Sequence, residues 1–348
     1  MKNKTYRPRL TADEHKVILA IRGEIEPAKK KDSNKKETKA EIESERKYNE
    51  LVELLSTSGM FESYEIHPSD GTSERETIPV IQNSDNHIDE IVRSEAVLGL
   101  NEYNMEIAER RSELFYTKAV KLIQHHQTHY NIKKMVILMQ GDAIGGWIHP
   151  ELEQTNSVSP NEAIFKFKGM TIAGLKYIHE NLDVEKITVV CVCGNHSRET
   201  KKTQFANFTD TNKEYWMFLD IANICKSIGL DKIEFIIPKA EMAIISIFNK
   251  KYLVAHGHQF RYAGGVGGIF PSMFKWFNNM AKTLKVDAAF IGHWHTSVMT
   301  KRVIVNGSPK GYDAYAIGRG LEYERPSQNM TLIDSEYDIC LFQQIYLD

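Results

Sequence analysis

The chain has 348 residues and only four cysteines, Cys191, Cys193, Cys225 and Cys340, too few and too scattered for a disulfide framework. Cys191 and Cys193 alternate within an apolar run, where the expected role is that of a small hydrophobe rather than a redox or metal pair. Long apolar segments are missing as well. Runs such as residues 187–193 fall far short of the ~20 residues a membrane-spanning helix needs, which excludes a helical membrane protein. No charge of one sign dominates: 44 Lys+Arg against 46 Asp+Glu leave a net −2, so no global basic field marks a nucleic-acid binder. The opening MKNKTYRPRL is basic but lacks the apolar stretch of a secretory signal, which argues against Sec export. Together with the sparse cysteines, this makes the cytoplasm the expected compartment. No internal repeat is visible.

What the sequence does contain is an ordinary globular composition, with 42% hydrophobic and 26% charged residues and length enough for a large core. A capping box, Thr11 followed by Glu14, opens a short expected helix that Pro27 ends. The charged stretch after it reads as a solvated helix or linker. Residues 1–50 hold 14 basic and 10 acidic residues, a local +4 against −6 (−2 minus +4) for the remainder. The turn-rich PSDGTSERET marks the expected boundary between a helical and linker region, 1–75, and a catalytic domain, 76–348. Beyond it, short apolar runs alternate with amphipathic ones. Strands are expected at 78–83, 134–140, 186–193, 233–237, 242–248, 251–256, 287–291 and 300–306, and helices at 105–130, 160–181, 212–228 and 271–285. The alternation predicts a mixed α/β sandwich.

The chemistry sits where those strands stop. Six of the 13 histidines follow a predicted strand directly. The clusters are Asp85-Asn-His87, Gly141-Asp142, Gly194-Asn195-His196, His256-Gly-His258 and Gly292-His293-Trp-His295. One such cluster is weak evidence, since a single histidine at a strand end is more often a surface or core residue. Five in this arrangement can converge on one rim. Mixed carboxylate, amide and imidazole donors suit Mn, Fe, Zn, Ni or Co rather than Ca. Glycine before three of the clusters (Gly141, Gly194 and Gly292) lets the chain turn off the strand, and Asp142 has two oxygens with which to bridge a metal pair. Arg198, Lys201 and Lys202 are candidates to hold phosphate oxygens, and His149 to face the substrate. His125, His126 and His129, on an amphipathic helix, read as surface residues. The run 262–268, rich in glycine, reads as a loop beside His256 and not as a dinucleotide fingerprint.

The ordered set Asp-x-His, Gly-Asp, Gly-Asn-His, His, Gly-His-x-His resembles the signature of the calcineurin-like metallophosphoesterases, over about residues 79–310. The resemblance implies a four-layer αββα sandwich (an α/β or α+β fold) with two metals at one edge, here preceded by a small, partly helical N-terminal extension. It implies Asp85, His87 and His295 as ligands of one metal, Asn195, His256 and His293 as ligands of the other, and Asp142 as the bridge. His196 takes the place of the catalytic histidine, with Arg198 beside it. The implied cofactors are two divalent transition metals, manganese first. The implied reaction is phosphoester hydrolysis by hydroxide generated at the metal pair, without a covalent intermediate. The stretches LNEYNMEIAERR, GDAIGGWIHPELEQTN, GNHSRETKK and VNGSPKGYDAYAIGRG are similar to a phage and prophage branch, likened to double-strand-break repair exonucleases. That likeness makes a nucleic acid or nucleotide phosphodiester the expected substrate, with a phosphomonoesterase or a non-catalytic binding module as alternatives. One position departs from the pattern: Ser197 stands where a carboxylate often orients the catalytic histidine. Glu199 or Asp85 is the candidate substitute.

Overall fold

The computed structural model describes residues 63–66, 75–262 and 268–348. The expected helix at 10–26, the charged linker and much of the 262–268 run lie outside the described residues. The compact unit spans Phe61–Asp348. Its strands are β1 (Ser63–Ile66), β2 (Thr77–Asn83), β3 (Lys134–Met139), β4 (Lys186–Cys191), β5 (Ile233–Ile236), β6 (Met242–Ile247), β7 (Lys250–Ala255), β8 (Ala288–Ile291), β9 (Val298–Met299), β10 (Val303–Val305), β11 (Ser327–Asp334) and β12 (Asp338–Tyr346). They form two six-stranded mixed sheets, in the orders β1-β6-β7-β8-β10-β9 and β12-β11-β2-β3-β4-β5. Among the described residues the α-helices are α1 (Met105–Gln127), α2 (Pro150–Thr155), α3 (Pro160–Asn181), α4 (Lys213–Ser227), α5 (Phe270–Leu284) and α6 (Ala314–Gly318).

The side-chain period of two along each strand sorts residues into layers. Ile78, Val80, Val136, Leu138, Val190 and Val192 meet Ile245, Tyr252, Val254 and Phe290 of the other sheet in one apolar seam. The alternate residues Ile81, Met135, Ile137, Ile187 and Val189 face a core shared with α1, α3 and α4. On the far side, Leu253, Ala289 and Ile291 pack with Met273 and Phe277 of α5. The result is a four-layer αββα sandwich. Caps fix the helix starts: Asn104 accepts the Ile107 N–H, Ser159 that of Glu162, and Asn212 that of Glu214.

The long hairpin β11–β12 is absent from the strands expected from sequence. Every residue of β11 is buried, yet Ser327, Gln328, Asn329, Thr331 and Asp334 are polar, so no apolar period advertises it. Two of these side chains reach the ends of other strands. Gln328 Oε1 accepts from the Ser84 N–H at 2.8 Å and from Asn306 Nδ2 at 2.8 Å. Asn329 Nδ2 donates to the Val305 carbonyl at 2.8 Å. The hairpin thus pairs with β2 while its side chains hold the loop ends of β2 and β10. No helix among the described residues is long and apolar enough to cross a membrane.

Candidate metal centre

Strands β2, β3 and β4 are parallel neighbours, so the loops that leave them emerge at one edge. β7 and β8 are likewise parallel. Two buried glutamines join the edges of the two sheets: Gln82 Nε2 donates to Gln140 Oε1 at 2.8 Å and to the Ile291 carbonyl at 3.3 Å, and Gln140 Nε2 donates to the Ala255 carbonyl at 3.0 Å. The five expected clusters therefore open onto a common rim.

Three groups of donor atoms form there, two of which join a buried aspartate to two histidines. Asp85, His87 and His295 converge in one, and Asp142, His256 and His293 in the other, each within 4.8 Å. In the first, His87 Nε2 faces His295 Nε2 at 3.2 Å, and His295 Nε2 lies 3.5 Å from Asp85 Oδ1. In the second, His293 Nδ1 faces His256 Nε2 at 3.2 Å, and His256 Nε2 lies 3.0 Å from Asp142 Oδ2. That same Asp142 oxygen is 3.9 Å from His87 Nε2 and 4.0 Å from His196 Nε2, so it stands between the groups. Asn195 Oδ1 is buried with no hydrogen-bond partner among the described residues, a state that normally costs ~1–3 kcal/mol. Facing imidazole nitrogens, two buried carboxylates and an orphaned amide oxygen are the donor set of borderline divalent cations. The residues fit two of them.

The local backbone is bent to this end. Among the described residues nine non-glycine positions have positive φ, and five of them are Asp85, His87, Asp142, His293 and His295. Such conformations cost energy and concentrate at functional sites. The candidate ligands themselves therefore make the turns. Gly194, by contrast, has no positive φ, and its role is close approach: a Cβ there would collide with the backbone N and the carboxylate of Asp142, and one on Gly141 with the backbone of Gly194.

Burial opposes ionisation of Asp142, but His256 and His196 hold its carboxyl well below the usual range. Burial alone would depress His256, yet the adjacent Asp142 raises it to about 9. His293, buried beside His256, is pushed well down. His256 Nδ1 donates to the Gln140 carbonyl at 2.7 Å, which commits Nε2 to the centre.

Five side chains that sequence reasoning missed support the candidate ligands. Glu90 Oε1 lies 3.0 Å from His87 Nδ1, and Glu90 also accepts from Lys310 Nζ at 2.8 Å. Lys310, buried, pairs in turn with Asp313 at 2.7 Å. Burial works against the Glu90 anion, but Lys310 and His87 hold it well below the usual range. Glu214, at the start of α4, accepts the Ala143 and Gly194 N–H groups at 2.7 Å each, tying together the loops after β3 and β4. Asp89 accepts the N–H groups of Gly145 and Gly146. Each is a lone carboxylate or amine outside any strand-end cluster. Only the pairing of their loops brings them in.

His196 donates from Nδ1 to the Gly145 carbonyl at 2.8 Å, and its backbone N–H donates to Asp142 Oδ1 at 2.8 Å. Its orienting acceptor is thus a carbonyl. Glu199 does not take that part, because it pairs with Lys213 at 2.8 Å. Glu90 is the carboxylate that groups with His196 and His87. Arg198 lines the cavity beside His196, while its guanidinium donates to the carbonyls of Asn195, Thr200 and Lys201. Lys201 and Lys202 are exposed, and neither lines that cavity. His149 is exposed at the rim, its ring centroid 6.3 Å from that of His196. His258 stacks on Phe208 and has no hydrogen bond to either ring nitrogen among the described residues. Burial and the neighbouring His256 push it down to about 3.

No protein-family model matches the chain, and no curated protein matches it. Several solved structures resemble it distantly. A conserved uncharacterized protein, a predicted phosphoesterase, from Streptococcus pneumoniae is 11% identical over 77% of this chain and 97% of its own, with a TM-score of 0.30. Vacuolar Protein Sorting 29 from Cryptosporidium parvum is 11% identical over 78% of this chain and 98% of its own, with a TM-score of 0.31. The calcineurin-like phosphoesterase YfkN from Bacillus subtilis is 11% identical over 78% of this chain and 90% of its own, with a TM-score of 0.28.

Proposed function

We propose that the chain is a phosphoester hydrolase dependent on two divalent cations, and specifically a phosphodiesterase acting on nucleic acid or nucleotides. The observation that carries this reading is the position of Asp142 Oδ2, with imidazole nitrogens of His256, His87 and His196 at 3.0, 3.9 and 4.0 Å. Asp85, His87 and His295 would hold one cation and Asn195, His256 and His293 the other, with Asp142 shared and manganese the first choice of metal. Bound cations would supply charge neutralisation at the phosphate oxygens and an acidified water. The chain's own residues do the rest. The Gln140 carbonyl fixes the ring of His256 and the Gly145 carbonyl that of His196. His196 Nε2 is left facing the centre, able to contact a phosphate oxygen or assist a departing one. Arg198 holds the loop that carries Asn195 and His196.

The test is a panel of bis-aryl phosphate, aryl phosphate and DNA in manganese buffer, with Asp142→Asn alongside. Bis-aryl phosphate is expected to turn over faster than aryl phosphate. The variant should lose at least ~100-fold, the scale that loss of an outer metal contact already reaches, with its melting temperature kept. Wild-type rates in Asp142→Asn would rule out this mechanism. A preference for aryl phosphate would make the enzyme a monoesterase, and no turnover of any substrate would leave a binding module.

A further inference from the structure

A cleft leads away from His196, and its walls are unusual for this chain. Its inner part, about 250 Å³, is lined by Trp147, Pro160, His196 and Arg198. The adjoining hollow, about 300 Å³, is lined by Trp216, Ile164 and Met217, and the two share Glu199 and Lys213. The chain has four tryptophans. Trp276 and Trp294 pack against the α5 core, whereas Trp147 is 50% exposed and Trp216 is 59% exposed. Tryptophan is highly buried on average, so it is informative that both exposed indoles line this one cleft.

The loop that leads into Trp147 is also tied down. The two residues before it donate to the buried Asp89 carboxylate, at 2.5 Å from the Gly145 N–H and 3.1 Å from that of Gly146. Asn156 closes the loop by donating to Asp89 Oδ2 and to the Gly146 carbonyl, both at 2.9 Å. The Gly145 carbonyl is the one that orients His196. The same short loop therefore sets the histidine and presents the indole.

The cations of the cleft are already engaged. Lys213 pairs with Glu199 at 2.8 Å and Lys168 with Asp220 at 2.6 Å, and Arg198 donates to backbone carbonyls. A chain of phosphates finds few free charges there, but a flat uncharged ring finds two exposed indoles. We propose that this cleft is a stacking site for the unpaired bases of a single-stranded nucleic acid whose phosphodiester lies at the metal centre. The proposal rests on the phosphodiesterase reading and narrows it. Bases in a duplex cannot present their faces to the indoles, so duplexes are disfavoured. Affinity gained by stacking more than by ion pairing also depends only weakly on salt.

The test uses the full chain loaded with manganese and a short oligothymidylate with phosphorothioate links, which resist cleavage. Its binding is measured by fluorescence anisotropy beside that of an abasic oligonucleotide with the same backbone and that of the duplex. The base-bearing strand should bind about tenfold tighter than the abasic one, within the range of base–aromatic stacking. Trp147→Ala and Trp216→Ala should each reduce that ratio severalfold, and Trp147→Phe should keep most of it. Trp147→Leu, apolar but not aromatic, replaces the alanine variant if that one does not fold, and should lose the ratio too. Equal binding of thymidylate and abasic strands by wild type would overturn the proposal, as would an undiminished ratio in the non-aromatic variants or tighter binding of the duplex. Bis-aryl phosphate turnover by the same wild-type preparation separates the two readings. Turnover without base preference sinks only the stacking site, and base preference without turnover sinks the hydrolase.

Discussion

His196 shows how a backbone group can orient a buried ring. Ser197 offers it no carboxylate, and the ring is oriented by the Gly145 carbonyl at 2.8 Å. Burial lowers its basicity, with Asp142 pulling the other way. A histidine that protonates a departing oxygen matters most when that oxygen belongs to a sugar alkoxide, and little when it belongs to an activated phenol. His196→Ala is therefore expected to slow cleavage of a natural phosphodiester by about 10²–10⁴-fold and that of an aryl diester far less, with metal content unchanged. Steady-state kinetics on the two substrates check this. Equal slowing would assign His196 to phosphate positioning. At this scale the metal-ligand candidates were legible, because each follows a strand end in a recognisable order. Glu90, Lys310 and Glu214 were not. Lys310 stands 220 residues from Glu90, and only the folded loops make them partners.

Elements give the ligands their registration, and α4 does so through one side chain. Glu214 holds the Ala143 and Gly194 N–H groups, so the loops carrying Asp142 and Asn195 move together. Burial, with Asp142 nearby, pushes Glu214 from its ordinary 4.5 up to about 7. A carboxyl raised on folding stabilises the protein fully below its unfolded value, and that stability is lost as pH rises through the folded value. In metal-free protein the wild type should lose a few kcal/mol relative to Glu214→Gln between pH 4.5 and 7, at ~1.4 kcal/mol for each pH unit by which the titration moves. Urea unfolding across that range measures it, and parallel curves for the two proteins would contradict it. Elements were also where the sequence was read unevenly. The apolar strands β2 to β4 and the helices α1, α3, α4 and α5 carry their periods openly. The hairpin β11–β12 does not, because Gln328 and Asn329 spend buried positions on amide hydrogen bonds to Ser84, Asn306 and Val305. The short helices α2 and α6 are too brief to show a period.

Across the whole molecule, each of the two donor groups built on an aspartate takes residues from both sheets. Asp85 and His87 follow β2 whereas His295 follows β8, and Asp142 follows β3 whereas His256 and His293 follow β7 and β8. The candidate centre would thus cross-link the two halves of the sandwich, and this division of candidate ligands appears only once the sheet order is known. The alternation of apolar runs and amphipathic segments made a mixed α/β sandwich legible, whereas the four-layer order was implied only by the motif resemblance. A cation that binds only the folded sandwich stabilises it in proportion to its concentration and affinity, so structure and activity should respond to the same titration. The most direct measurement is the rate of bis-aryl phosphate hydrolysis as manganese is added to metal-free protein in known equivalents. The two-cation centre predicts almost no activity without metal and a plateau reached at two equivalents per chain. A plateau at one equivalent or fewer, or a rate indifferent to manganese and to chelator, would contradict it.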